Sequence, residues 1–479
     1  MVILLTARPR TAWTRLLGAA IGCGLLLGAA SPARAEGPQF APSIDTPVSF
    51  GAGLTSLAAG DIDGDGHVDL AIGLASGQDS SVAVLLGDGH GGFRSGPVPP
   101  IAGVEGTVLL RDVNGDGKAD LLLAERFGQF LHVLLGAGDG TFAADDSPTY
   151  FGAVGGEAMA TADFNRDGHL DVSVAASSSQ AVTVMLGDGT GRFTLAPGAP
   201  SAVSGRPDAI AAGDFNEDGA PDVATSNYAS SGTVSVLLGA GDGTLRDAPG
   251  SPLQVGSYPA SLSVADIDRD RHQDLVFWSD YYVFRLLRGD GTGASADPQP
   301  LFTSSGGRPR ALLVADFDGR RGPDLAVTEQ GAVIVQMNDG KSAFTDAVGS
   351  PFLASTTDLS TIADVNGDGF PDIVGATPSG VSVLLDNPPA PPQPPPDPGD
   401  GGGDPPQAAT VAVPSVKGMT LAAAKHRLAK RHLRLGRVRG PQHTDRHHVL
   451  RVIRQTPRSG TKVARDTKVK LRLRSYAKL

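Results

Sequence analysis

Seven short stretches of this chain set carboxylates and carboxamides at a fixed interval, beginning at Asp61 (DIDGDGHVD), Asp112 (DVNGDGKAD), Asp163 (DFNRDGHLD), Asp214 (DFNEDGAPD), Asp266 (DIDRDRHQD), Asp316 (DFDGRRGPD) and Asp364 (DVNGDGFPD). In the pattern D-x-[DN]-x-D-G-x-x-D, side-chain oxygens fall at positions 1, 3, 5 and 9, with glycine at position 6 where the chain turns sharply. Hard oxygen donors with no His or Cys among them suit Ca²⁺ better than zinc or copper, and position 7 adds a backbone carbonyl. The set is not an EF-hand, because the twelfth position is Ile72 in the first loop and Leu123 in the second, where a bidentate Glu is required. Asp, Asn and Gly are also ordinary turn residues, yet a turn needs two or three of them, not four oxygens at fixed spacing. Crowded carboxylates without a cation repel one another.

The expected ligands are Asp61, Asp63, Asp65 and Asp69; Asp112, Asn114, Asp116 and Asp120; Asp163, Asn165, Asp167 and Asp171; Asp214, Asn216, Asp218 and Asp222; and Asp364, Asn366, Asp368 and Asp372. The fifth loop keeps Asp266, Asp268, Asp270 and Asp274 but has Arg271 where the glycine belongs, which puts its turn in question. In the sixth loop Arg320 and Arg321 replace the position-5 oxygen and the glycine. There a guanidinium is expected to stand in for the cation by pairing with Asp316, Asp318 and Asp324. The count is therefore five or six calcium sites.

The elements that must hold these loops recur with them. Successive acidic stretches lie 51, 51, 51, 52, 50 and 48 residues apart, a period that signals a propeller or array. Around each lie short apolar runs: one like SLAAG before it, one like LAIG after it, then SVAVLLG, a Gly-Asp-Gly turn and an aromatic such as Phe93, Phe142 or Phe193. Runs of four to seven residues bounded by Gly, Asp and Asn read as strands, four to a unit, which is the make-up of a blade. The seventh unit stops after its third strand, VSVLLDN, while the segment opened by Phe40, FAPSIDTPVSFGAG, resembles the fourth strand of the other units. An N-terminal strand completing the last blade leaves no open sheet edge, so the expectation is an all-β, closed seven-bladed ring over residues 38–387.

These units resemble FG-GAP/VCBS repeats, the blades of the integrin-α-like β-propeller. Phe50-Gly51 and Phe151-Gly152 are parts of that family's signature. The resemblance implies Ca²⁺ loops on one rim that rigidify the blades, and extracellular adhesion or ligand binding.

Charge divides the chain. Residues 36–406 hold 17 Lys and Arg against 49 Asp and Glu, whereas residues 407–479 hold 19 against 2. Opposite electrostatics imply two different jobs. Between them, residues 388–407 form a Pro- and Gly-rich linker that cannot pack a core. The segment 408–479 reads as a small α+β unit, with Leu421, Ala424, Leu428 and Leu433 on one amphipathic helix followed by strands. Val413-Pro414, Gly418-Met419, Ala424, Leu428, Gln455, Pro457, Gly460, Val463 and Val469 resemble a PASTA domain, which implies association with peptidoglycan or the cell wall. The positive balance by itself attracts anionic polymers. Nucleic acid is the weaker partner, since the tail has one aromatic residue, Tyr476, for base stacking. His443, His447 and His448, beside Asp445, read as a solvated cationic loop in preference to a metal site.

At the N-terminus, Arg8, Arg10 and Arg15 precede an apolar run from Leu16 to Ala30, and Ala33-Arg34-Ala35 offers a signal-peptidase site. Residues 1–35 are thus expected to be a cleaved signal peptide, the protein secreted and cell-wall associated, and no membrane span is foreseen. Cys23, the only cysteine, lies in the apolar run; a lipidation site there is the less favoured alternative, because Ala20 stands where leucine is usual.

No Gly-x-Ser-x-Gly elbow, HExxH or phosphate loop is present, and the metal loops account for nearly all clustered carboxylates. The expected activity is therefore binding or adhesion to an extracellular protein or glycan, with a glycan-binding lectin or a polysaccharide-cleaving propeller enzyme as alternatives. The stretch FWSDYYVF, Phe277 to Phe284, holds Trp278, Tyr281 and Tyr282 in a chain only 5 % aromatic. It reads as part of a buried strand in preference to a sugar or peptide platform.

Overall fold

The computed structural model describes residues 38–386 except 39, 42–43, 49, 51–52, 76–80, 145–146, 294–296, 305–306, 321 and 355–358. In the tail it describes 410–417, 424, 427–428, 433–439, 448–456, 462–464 and 468–477. The expected signal peptide with Cys23, the linker at 388–407, Arg321, and His443, Asp445 and His447 lie outside the described residues. Two compact units divide at Pro391 and Pro392.

Each acidic repeat folds into one antiparallel sheet. In the first, Gly53–Gly60 pairs with Asp69–Ala75, which pairs with Ser81–Gly87, which pairs with Phe93–Ser95. Six further sheets repeat this order. Every second strand begins on the position-9 aspartate: Asp69, Asp120, Asp171, Asp222, Asp274, Asp324 and Asp372. The acidic loop is thus the turn of the first hairpin, as its spacing predicts. In the last sheet, Ile44–Pro47 lies antiparallel to Gly380–Leu384 as the outermost strand, and Phe40 bridges to Asp386.

Ring closure follows from packing. The second strand of the first blade, DLAIGLA, is buried along almost its whole length, because both its faces meet neighbouring blades. Seven apolar clusters form, one for each pair of adjacent blades. That between blades one and seven joins Leu57, Leu70 and Ile72 to Val365, Val374 and Val383. The first strands touch in series, and the seventh, Leu359–Ala363, meets Gly53–Gly60 of the first. Among the described residues the facing sides of adjacent blades bury one another, which explains how a ring without thiols in its body holds together by burial at about 25 cal/mol per Å².

In the tail, Arg434–Arg439 runs parallel to Lys468–Ala477, which pairs antiparallel with His448–Thr456; Thr410–Ala412 pairs with Lys462–Ala464. Ala424, Arg427 and Leu428 are helical. Ala424 and Leu428 are buried with Val413, Val416, Leu433, Val452, Val469 and Leu471. The Gln455 amide ties the segment together, accepting from Val416 N (2.8 Å) and donating to the Pro414 carbonyl (2.9 Å). His448, taken from sequence as loop, opens a strand.

Candidate metal centres

Each loop is organised by its own backbone. In loop one the Asp61 carboxylate accepts from Gly64 N (2.7 Å) and Gly66 N (3.0 Å), so positions 4 and 6 wrap around position 1. Loops two and seven repeat this with Asp112 and Asp364. Position 5 accepts from the N–H of position 7, as Asp65 does from His67 (2.9 Å) and Asp167 from His169 (2.8 Å). The glycine at position 6 is required by conformation alone: Gly117 has φ +83° and an added Cβ would meet nothing within 4 Å.

Position 9 does more than its spacing suggests. All seven of these aspartates are buried. Asp69 Oδ2 accepts from Ile62 N (2.8 Å) and Asp63 N (3.2 Å) inside the loop, while Oδ1 accepts from Gly87 N (2.7 Å) at the end of the third strand. The same double anchor recurs from Asp120 to Asp372. This staple between the two turns of a blade has no local signature, since its outer partner lies 14 to 18 residues away. Burial pushes these carboxyls up, to about 6 at Asp69, Asp120 and Asp171, about 7 at Asp222 and Asp274, and about 8 at Asp324 and Asp372. Neighbouring carboxylates add to the effect, so the site favours either a proton or a cation.

Three loops bring three carboxylates together, with one oxygen of each within 4.8 Å of the others: Asp61, Asp63 and Asp69; Asp266, Asp268 and Asp274; and Asp316, Asp318 and Asp324. Asp65 and Asp270, at position 5, lie outside these close groups. Loop five keeps its turn because Arg271 takes up the glycine conformation at φ +78°, and its N–H reaches Asp266 Oδ2 (3.1 Å) as Gly66 reaches Asp61. In loop six Arg320 reaches Asp316 and Asp318 through its backbone N–H, and the three carboxylates converge despite it.

The fit of a cation is tested by the oxygens left over. Asp214 Oδ1, Asp266 Oδ1 and Asp268 Oδ1 are buried and have no hydrogen-bond partner. Such atoms are costly unless something positive meets them. In loop five Asp268 Oδ2 takes Arg288 Nε (3.1 Å), which leaves Oδ1 turned away from that ion pair. An all-oxygen donor set with orphaned acceptors fits Ca²⁺.

Loops three to six are also linked along the rim. At position 4, loops one, two, six and seven have glycine, whereas Arg166, Glu217 and Arg269 occupy loops three, four and five at φ 59°, 58° and 63°. Each of these strained residues reaches the next loop. Arg166 donates to the Asp218 carbonyl (2.9 Å) and Oδ1 (3.3 Å), Glu217 pairs with His272, and Arg269 donates to the Arg320 carbonyl (3.4 Å).

Family models match two parts of the chain. The FG-GAP-like repeat matches residues 112–174 and 163–225, and the PASTA domain matches residues 411–475. The chain carries FG-GAP-like repeats and a PASTA domain. No curated protein matches it. Among solved structures, a lectin of Agrocybe aegerita that recognises non-reducing terminal N-acetylglucosamine is similar at 18 % identity and a TM-score of 0.44, over 61 % of this chain and 79 % of that one. A putative 6-phosphogluconolactonase of Bacteroides uniformis is similar at 14 % identity and a TM-score of 0.47, over 61 % and 83 %. A protein of Lactobacillus plantarum is similar at 13 % and 0.47, over 64 % and 88 %. The FG-GAP blades matched by the family model are the second to fourth, and they share their loop geometry with the rest of the ring.

The aromatic stretch of blade five is divided by the fold. Phe277, Trp278 and Phe284 are buried between strands, as a strand reading requires, but Tyr281 and Tyr282 are exposed in the turn between them. Among the described residues no helix is long and apolar enough to cross a membrane.

Proposed function

We propose that this protein is an exported recognition propeller whose blades are locked by calcium and whose PASTA domain holds it near the cell wall. The observation that carries the reading is the orphaned pair Asp266 Oδ1 and Asp268 Oδ1 in a loop that keeps the bonds from Ile267 N to Asp274 and from Arg271 N to Asp266. Asp61, Asp63, Asp65 and Asp69, with their equivalents in loops two, three, four, five and seven, would hold the ions. What calcium supplies is charge: it neutralises carboxylates that burial has made reluctant to ionise, and so ties the first hairpin of each blade to its third strand. The protein binds; it does not turn over a substrate. An extracellular protein or glycan is the ligand of the ring, and a cell-wall polymer that of the tail, where Arg434–Arg439 and Lys468–Ala477 bring many cations onto one small sheet.

Calorimetric melting of the chain with calcium and with EGTA tests the first part. Several sites of extracellular affinity, roughly 10⁻⁴ to 10⁻³ M, together shift the transition by many degrees at millimolar calcium. An unchanged melting temperature refutes the calcium assignment. For the second part, the chain is mixed with purified cell-wall sacculi; loss of retention on deleting residues 407–479 supports wall attachment, and full retention by the shortened chain refutes it.

A further inference from the structure

Four of the six tyrosines come together on the ring face opposite the acidic loops. Tyr228 ends the second strand of blade four, Tyr258 precedes the first strand of blade five, and Tyr281 and Tyr282 form the turn after that blade's second strand. Their ring centroids are 5.0 Å apart from Tyr228 to Tyr258, 5.3 Å from Tyr258 to Tyr281 and 6.4 Å from Tyr281 to Tyr282. Neighbouring rings are tilted by 45° to 48°, so they form a faceted strip. Tyr281 is 56 % and Tyr282 41 % exposed; other exposed apolar side chains of the ring, such as Phe127, Val348 and Leu353, are not gathered into a strip of this length.

The strip is built, and at a cost. Tyr258, Asp280 and Tyr281 all sit at positive φ, 52°, 49° and 70°, where L-residues are strained by about 1 kcal/mol or more each. Hydrogen bonds hold them there. Tyr258 N donates to the Ala229 carbonyl (2.7 Å), Asp280 N to the Ser257 carbonyl (2.7 Å), and Ser257 N returns to Asp280 Oδ1 (2.7 Å). Arg285 closes on Asp280 Oδ2 (2.6 Å), and Ser304 N caps the Tyr282 carbonyl (2.9 Å). Rigid tyrosines present apolar faces with hydroxyls at their rims and lose little entropy when covered, which suits a ligand that is itself apolar on its ring faces and hydroxylated at its edges. Asp280 is neutralised by Arg285, and the buried Glu329 accepts from Ser304 Oγ beside the strip, so the tyrosine faces and not a net charge define this surface. A cavity of about 230 Å³ between Arg126, Phe127, Glu157 and Arg206 on the same face is a poorer candidate, because Glu157 already takes both guanidinium groups.

We propose that Tyr228, Tyr258, Tyr281 and Tyr282 form a platform for a glycan chain, its sugar rings stacked on the tyrosines. The proposal rests on the reading of the ring as a recognition module. The test titrates the full chain with a hyaluronan hexasaccharide, a chitin hexasaccharide and a decaproline peptide, by calorimetry, in about 0.3 M salt to screen the basic tail. Saturable binding of the sugar fragments is expected. Y281G with Y282A should weaken it about tenfold or more while leaving the melting temperature within a few degrees, and the two phenylalanine variants should bind within about threefold of the parent. Saturable sugar binding that is indifferent to the tyrosine changes overturns the platform and leaves the recognition reading in place. Decaproline binding more tightly than either sugar, or no saturable binding of either sugar, also overturns it.

Discussion

Replacing Arg271 by alanine and by glycine isolates the strain stored in loop five. Both changes remove the same charge, so their difference reports the backbone alone. At φ +78° an L-residue costs about 1–2 kcal/mol relative to an unstrained one, and glycine pays about 0.5–1 kcal/mol in extra unfolded-state entropy. The glycine variant should therefore be the more stable of the two by about 1 kcal/mol. For a ring of this size that is a difference in melting temperature of about 2 °C. The mirror experiment is G117A in loop two, where φ is +83° and an added methyl meets no atom within 4 Å, so the expected loss of about 1 kcal/mol is purely conformational. Scanning calorimetry in EGTA reads both without interference from the ion. The two experiments must have opposite signs for added glycine and lost glycine. If R271G is no more stable than R271A, or G117A is neutral, the account of position 6 is wrong. Repeating the pair in calcium should widen the gap, since a relaxed turn presents Asp266, Asp268 and Asp274 to the ion.

D120N removes one acceptor from a buried staple and should cost about 2 kcal/mol in EGTA, whereas D116N, on the exposed position 5, should change calcium-free stability by less than about 0.5 kcal/mol yet lower calcium affinity by titration calorimetry. The position-9 carboxyls stand at about 6 to 8, above the ordinary 3.8, so the folded chain binds more protons than the unfolded one between those values. In EGTA, stability should accordingly fall as pH rises from 5 to 8, and saturating calcium should flatten or reverse that slope; denaturant melts at several pH values read it. His272 is held above its ordinary pKa by its hydrogen bond to Glu217, and E217Q should bring it down in an NMR titration of the ring protons.

Much of this protein was legible in its sequence because its chemistry is local and repeated. Nine residues suffice to write an acidic hairpin, and seven copies at a near-constant interval fix the number of blades. The truncated seventh repeat and the strand-like segment after Phe40 are complementary remainders, so the closure of the ring was readable before any packing was known. The small positive tail likewise carried its pattern in Val413, Leu428, Gln455 and Val469, all of which reappear in its core or its one amide clamp.

The tertiary structure decided what lies between repeats. The second bond of each position-9 aspartate depends on how far the third strand returns, the forward links of Arg166, Glu217 and Arg269 join residues 51 to 55 apart, and the tyrosine strip gathers three separate segments across one blade junction. Loop five turned on an arginine because the surrounding hairpin supplies the energy that arginine itself lacks for that conformation. Spacing along a chain records which residues share a turn; which turns share a surface is set by strand length, twist and the burial of both faces of every blade, and these emerge only when the ring has closed.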